Sequence, residues 1–153
     1  MRARSIACRA IATCTVLAAA FAAAPATALQ LITDSEAALP PAPNAGHERG
    51  ISRGPTIVVV SPQPYAGTIK SPLTFKVLFE GHGGTAINVN SVLLTYLKKP
   101  TIDLTQRLEP YITPGGIDVE DAEVPPGTHT IRINVTDTDG RPGWTDITFS
   151  VSK

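Results

Sequence analysis

The sequence predicts an all-β fold, a sandwich of two sheets, for the residues from Pro55 to Lys153. Three observations carry that expectation. Apolar residues recur at every second position over several short segments, which is the period of a strand with one buried face. Gly, Pro and Asp-Gly breaks separate these segments at intervals of roughly 8 to 12 residues, the spacing of turns in a sandwich of about seven strands. No stretch carries a helical apolar period long enough to matter. A closed barrel is the competing architecture, but the chain is short for most ligand-holding barrels.

Two segments of different composition come first. Met1 to Ala28 reads as an export signal: Arg2, Arg4 and Arg9 with no acidic residue, an apolar run from Ala10 to Ala24, then Pro25 and Ala26-Thr27-Ala28, the small-x-small pattern that signal peptidase cuts after. A membrane-spanning helix would need about 20 apolar residues. This run is shorter, ends in Pro25 and lacks a basic stop-transfer flank. A lipid anchor on Cys14 fits poorly, because Ile11-Ala12-Thr13 departs from the usual Leu-small-small lead.

Cleavage after Ala28 would remove both cysteines, Cys8 and Cys14, and with them any disulfide, thiolate metal site or cysteine nucleophile. It would also remove three of the thirteen basic residues and none of the thirteen acidic ones, leaving ten against thirteen and a formal charge of −3. A mildly acidic domain suits neither nucleic acid nor anionic lipid. Residues 29–54 shift to Ala, Pro, Gly and charge around Leu39-Pro40-Pro41-Ala42-Pro43. That composition predicts a flexible linker, with too few large apolar residues to offset the entropy of ordering. The expected organisation is a signal peptide over 1–28, a linker over 29–54 and one domain over 55–153.

Within the domain, Thr56 to Ser61 is a β-branched run closed by Pro62 and Pro64. Pro72 opens an alternation that puts Leu73, Phe75, Val77 and Phe79 on one face and Thr74, Lys76 and Glu80 on the other, ending at Gly81-His82-Gly83-Gly84. Ile87 to Leu97 places Val92, Leu94 and Tyr96 on one face and Leu93 and Leu97 on the other, so this strand is expected to be central or covered. Weaker short strands are expected over Ile102 to Leu104 and Tyr111 to Thr113, and a firmer one over Ile117 to Val124. After Pro125-Pro126-Gly127, His129, Ile131, Ile133 and Val135 alternate with Thr128, Thr130, Arg132, Asn134 and Thr136. Asp139-Gly140 marks a hairpin into the last strand, whose inward face is Thr145, Ile147, Phe149 and Val151.

The stretch from Val124-Pro125-Pro126-Gly127 through His129 to Asp137-Thr138-Asp139-Gly140 resembles the last hairpin of bacterial immunoglobulin-like and fibronectin-type-III-like domains. Ser61-Pro62 after a valine run and Ser71-Pro72-Leu73 are similar to the same families. The resemblance implies their fold and little about function. Trp144 cannot be the core pin of an antibody-type domain, since no Cys-Trp-Cys set exists. His129 stands where such domains often carry a tyrosine that bonds back across the turn, so a buried corner histidine is expected there.

Candidate chemistry is sparse. Asp137 and Asp139, with the acidic strand Asp118, Glu120, Asp121 and Glu123, are the candidate calcium ligands, against the plainer reading of a turn and a solvated face. His47, His82 and His129 lie in the linker, a glycine loop and a strand corner, without metal-binding spacing. No nucleophile elbow or phosphate loop is present, and enzymatic activity is not expected. For ligand binding the candidates are Trp144, beside the Gly140-Arg141-Pro142-Gly143 turn, with Arg141 and Tyr96. The expectation is an exported, non-catalytic module in the periplasm or outside the cell that binds a protein partner through a sheet edge or the face around Leu93 and Leu97, with no cofactor, nucleic acid or membrane insertion after signal cleavage. An envelope-polysaccharide module centred on Trp144 and a calcium-dependent adhesion module are the alternatives.

Overall fold

The computed structural model describes residues 28–43, 53–63 and 67–152. The segment read as an export signal, Ala28 apart, lies outside them, with both cysteines and His47. The described residues form two five-stranded sheets packed face to face. In chain order the elements are β1 (Leu29–Gln30), α1 (Asp34–Ala37), β2 (Thr56–Ser61), β3 (Thr68–Lys70), β4 (Leu73–Glu80), β5 (Ile87–Tyr96), β6 (Ile102–Asp103), α2 (Thr105–Leu108), a 3-10 turn (Glu109–Tyr111), β7 (Ile112–Thr113), β8 (Gly116–Glu123), β9 (Gly127–Asp137) and β10 (Pro142–Ser152).

One sheet runs β1-β8-β4-β2, with β7 also on β8; the other runs β3-β10-β9-β5-β6. The pairs β2/β4, β4/β8, β5/β9 and β9/β10 are antiparallel, while β1 on β8 and β3 on β10 are parallel. Their alternation fills the space between the sheets. Phe75 and Val77 from β4 and Ile117 and Val119 from β8 face Leu94 and Tyr96 from β5, Ile131, Ile133 and Val135 from β9, and Ile147, Phe149 and Val151 from β10, all buried. Where β2 and β10 begin, the backbones come so close that a Cβ on Gly54 would meet the Pro142 carbonyl, and one on Gly143 the Pro55 carbonyl. Only glycine fits either place.

Residues 29–43 differ from the flexible linker the composition predicts. Leu31 and Ile32 are fully buried in the core, and the Leu31 amide donates to the Glu123 carbonyl at 3.0 Å, extending the β1 pairing. Thr33 then caps α1 in a capping box with Glu36. Glu36 forms a two-pronged ion pair with Arg107 of α2, at 2.8 and 2.6 Å, and the same guanidinium donates to the Leu31 carbonyl. Lys98 donates from Nζ to the Ala37 carbonyl, and Pro41 bridges Lys98. This strap is held by two apolar anchors and a charged latch, contributions that an average over Ala and Pro content conceals. The remainder of the expected linker, residues 44–52, lies outside the described residues.

The strap also corrects the reading of β5. Leu97 is buried, its carbonyl accepting from the Ala42 amide, while Leu93 is 43% exposed. The two leucines therefore do not share an open apolar face. Among the described residues, helix is limited to the single turns α1 and α2 and the 3-10 turn Glu109–Tyr111, so the fold is all-β as expected.

Candidate functional site

The C-terminal hairpin gathers most of the residues singled out by the sequence. Gly127 leaves the Pro125-Pro126 turn, and two residues later the strand turns His129 into the core at 1% exposure. Its Nε2 lies 2.8 Å from the Pro125 carbonyl and its Nδ1 2.8 Å from the Tyr96 hydroxyl. A carbonyl can only accept, so Nε2 carries the proton, and in the neutral ring that burial favours Nδ1 accepts from the Tyr96 hydroxyl. Burial pushes the imidazole pKa down, against the pull of the Pro125 carbonyl, and the Lys98 charge lowers it further. Burial likewise pushes the Tyr96 phenol up to about 12, with the Glu36 carboxylate adding to it. The Tyr96, His129 and Phe149 rings pack in series, with centroids 5.8 and 5.7 Å apart. His129 is thus the corner histidine that was expected, bonding back across its own turn. Tyr96, a candidate for ligand contact, is instead fully buried as its partner.

At the other end of β9, Asp137 is buried, with Oδ1 accepting from the Asp139 and Arg141 amides at 3.0 and 2.8 Å. The Gly140 amide closes the turn onto the Asp137 carbonyl, and Gly140 takes a φ of 77°, so the tight turn needs a residue without a Cβ. Arg141 pairs with Asp139 at 2.9 Å and reaches the far oxygen of Asp137 at 3.9 Å. The two aspartates proposed as calcium ligands therefore hold the turn together around a guanidinium already on the chain. Among the described residues no group of three or more His, Cys, Asp or Glu is placed to hold a metal. Replacing Asp137 by Ala is expected to cost about 1–3 kcal/mol, because it strips two backbone donors of their acceptor. A urea-denaturation midpoint, measured with and without calcium, checks this: the loss should be the same in both.

Trp144 is half-buried on the outer face of the second sheet, opposite Ile147 and Phe149 as the alternation predicts. Its ring lies under the Arg132 guanidinium at 4.9 Å, and Arg132 is held by a forked pair to Asp146 at 2.7 and 2.9 Å. One face of the indole is thus covered by the protein's own cation. Arg141 lies in the adjoining turn, whereas Tyr96 is inside the sandwich, so the three candidate ligand residues do not form one site. The outward acidic residues of β8 line a depression of about 330 Å³ in which Asp118, Glu120 and Asp121 surround Leu29 and Tyr111; Asp118 is already paired with Lys76 of β4.

The outer face of the first sheet has a feature the strand pattern alone did not bring out. Val58 and Val60 of β2 are each 37% exposed, and Leu78 of β4, directly opposite Val58, is 39% exposed. The signal was Leu78, an apolar residue in a face otherwise made of Thr74, Lys76 and Glu80. Since β2 ends the β1-β8-β4-β2 order, this apolar row lies along a sheet edge. No protein-family model, curated protein or solved structure matches this chain.

Proposed function

We propose that this chain is an exported, immunoglobulin-like module without catalysis of its own, which binds a partner protein in the cell envelope or outside the cell through strand β2. The fold assignment is supported by strand order. Reading β2, β4 and β8 as strands A, B and E and β5, β9 and β10 as C, F and G follows the two sheets of that family, with β7, antiparallel on β8, in the place of D and the parallel β1 added beside it on β8. The binding role rests on one observation: β2 is an edge strand, Thr-Ile-Val-Val-Val-Ser without a charge, and it presents Val58 and Val60 beside Leu78. Natural sheets normally blunt such an edge with a charge, a proline, a bulge or a covering element; β2 carries no charge, and its register is irregular between Val59 and Ser61. The polar side chains that would otherwise draw attention, His129, Asp137 and Arg132, are taken up in holding the fold.

A photoreactive amino acid at position 58, introduced in the producing cell, tests this reading. A discrete protein adduct from position 58, and none from position 148 on the outer face of the other sheet, is the expected result. Absence of any adduct from position 58 would remove the reading.

A further inference from the structure

We propose that signal-peptide removal builds an ion pair within the chain: hydrolysis of the Ala28–Leu29 bond sets the new Leu29 ammonium in the acidic depression on β8, where Glu120 and Asp121 receive it. This rests on the export proposed above and not on the binding role of β2.

The cut and the depression meet at one residue. Ala26-Thr27-Ala28 is the small-x-small pattern before the expected cut. Leu29, the residue after it, opens β1 and lines the depression together with Tyr111, Asp118, Glu120 and Asp121. The first residues of a domain normally fray. These are held: Leu29 pairs with Ala122 and packs against the core, and Leu31 and Ile32 are buried in it. The Leu31 amide donates to the Glu123 carbonyl at 3.0 Å. Amides two residues apart on a strand turn to the same neighbour, so the Leu29 nitrogen faces β8 at the level of Asp121.

The charges around that nitrogen are unbalanced in the uncut chain. Lys76 of β4 is taken up by Asp118. Glu120 and Asp121 are exposed and have no cationic partner among the described residues. The other lining side chains, Leu29, Tyr111 and Val119, bring no cation. Two carboxylates therefore stand beside a backbone nitrogen that carries no charge while the Ala28–Leu29 peptide bond is intact.

Cleavage by a signal peptidase changes that nitrogen. Hydrolysis takes up one water, whose oxygen goes to the Ala28 carboxylate and whose two protons complete the Leu29 ammonium. A positive charge and two further donors then appear next to the two unpaired carboxylates, and the hydrogen bonds they form are charge-assisted. Processing thereby fastens the strap at its first residue, as the Glu36–Arg107 pair fastens it further on.

The test uses the chain purified in the form the producing cell accumulates. The mass of its N-terminal peptide is expected to show Leu29 as the first residue. Limiting acetic anhydride, which acylates only the unprotonated amine, then gives the α-amine pKa from labelling rates between about pH 6 and about pH 10. A value about half a unit or more above the ordinary range of about 7.7–8.0 is expected. Glu120→Gln combined with Asp121→Asn should return it to that range with an unchanged far-UV circular dichroism spectrum. Glu80→Gln, at the end of β4 remote from Ala122, should leave it raised. A pKa raised on folding adds stability that is lost as pH rises through the folded value, so the wild type should lose urea resistance above about pH 8 that the double variant never had. An amine on Leu29 that titrates in the ordinary range overturns the ion pair and leaves export standing. So does a raised value that the double variant keeps, or that Glu80→Gln lowers equally. A first residue other than Leu29 overturns the ion pair through its cut, and a chain that retains Met1 to Ala28 removes the export reading as well.

Discussion

Leu31→Ala is expected to destabilise the protein by about 2–5 kcal/mol, the range for emptying a fully buried leucine site. Leu31 has no exposed surface, its amide donates to Glu123 and its carbonyl accepts from Arg107, so the surrounding backbone cannot readily collapse into the space left. A residue in a flexible linker would cost nothing measurable, which makes the urea midpoint of this variant a direct test of whether the strap belongs to the domain. Ala38→Ser, at an exposed strap position, serves as the control and should leave the midpoint in place. The latch beside Leu31 has its own acid signature. The Arg107 guanidinium holds the Glu36 carboxyl at about 2, below its ordinary 4.5. A carboxyl lowered on folding adds stability that is fully present above its unfolded value and is lost as pH falls from about 4.5 towards about 2. Glu36→Gln should flatten stability in that window.

The strap shows where legibility in the sequence ended. The long strands of the two sheets could be read because their signal is periodic: Leu73, Phe75, Val77 and Phe79, or His129, Ile131, Ile133 and Val135, declare one buried face without knowledge of what covers it, whereas the short β1 and β3 carry no such period. Residues 29–43 carry no such period. Their contribution comes from a two-residue parallel pairing and one helical turn, and both gain their stability from contacts with residues about 70 to 90 positions away, here Arg107 and Glu123. One local sign is present, the Thr33-Asp34-Ser35-Glu36 capping box directly after Leu31-Ile32, but a single capped turn does not say what it packs against. The candidate sites divide in the same way. His129 was readable because a turn and a strand start fix its direction. Tyr96 was not, since an apolar face says that a tyrosine points inward without saying that its hydroxyl will find a histidine there. The place of β2 at a sheet edge was least legible of all: a β-branched run reads alike whether its strand is central or last in a sheet, and only the strand order decides.

His129→Ala is expected to cost about 3 kcal/mol or more, since it opens a space in the core and leaves the buried Tyr96 hydroxyl and the Pro125 carbonyl without their shared partner. The two effects can be separated. His129→Phe fills the space with a somewhat larger ring and loses both hydrogen bonds, at about 1–3 kcal/mol, and adding Tyr96→Phe should return part of that, because the Tyr96 hydroxyl is then no longer stranded although the Pro125 carbonyl still lacks its donor. A pH series then identifies the chemical state of the histidine. Its pKa in the folded chain lies below the ordinary 6.5, so below about 6.5 the unfolded chain takes up a proton that the folded chain refuses. Stability should therefore be fully present above the ordinary 6.5 and fall as pH drops below it, while His129→Phe shows a shallower slope there. The Glu36 contribution begins to fail only below about 4.5, whereas the His129 contribution begins to fail below 6.5, so the two onsets can be told apart in one experiment. A slope below pH 6.5 as steep in His129→Phe as in the wild type would mean that the imidazole is not the neutral, doubly bonded group that fixes this corner, and the Tyr96 to Pro125 bridge would have to be replaced by another arrangement of the same three residues.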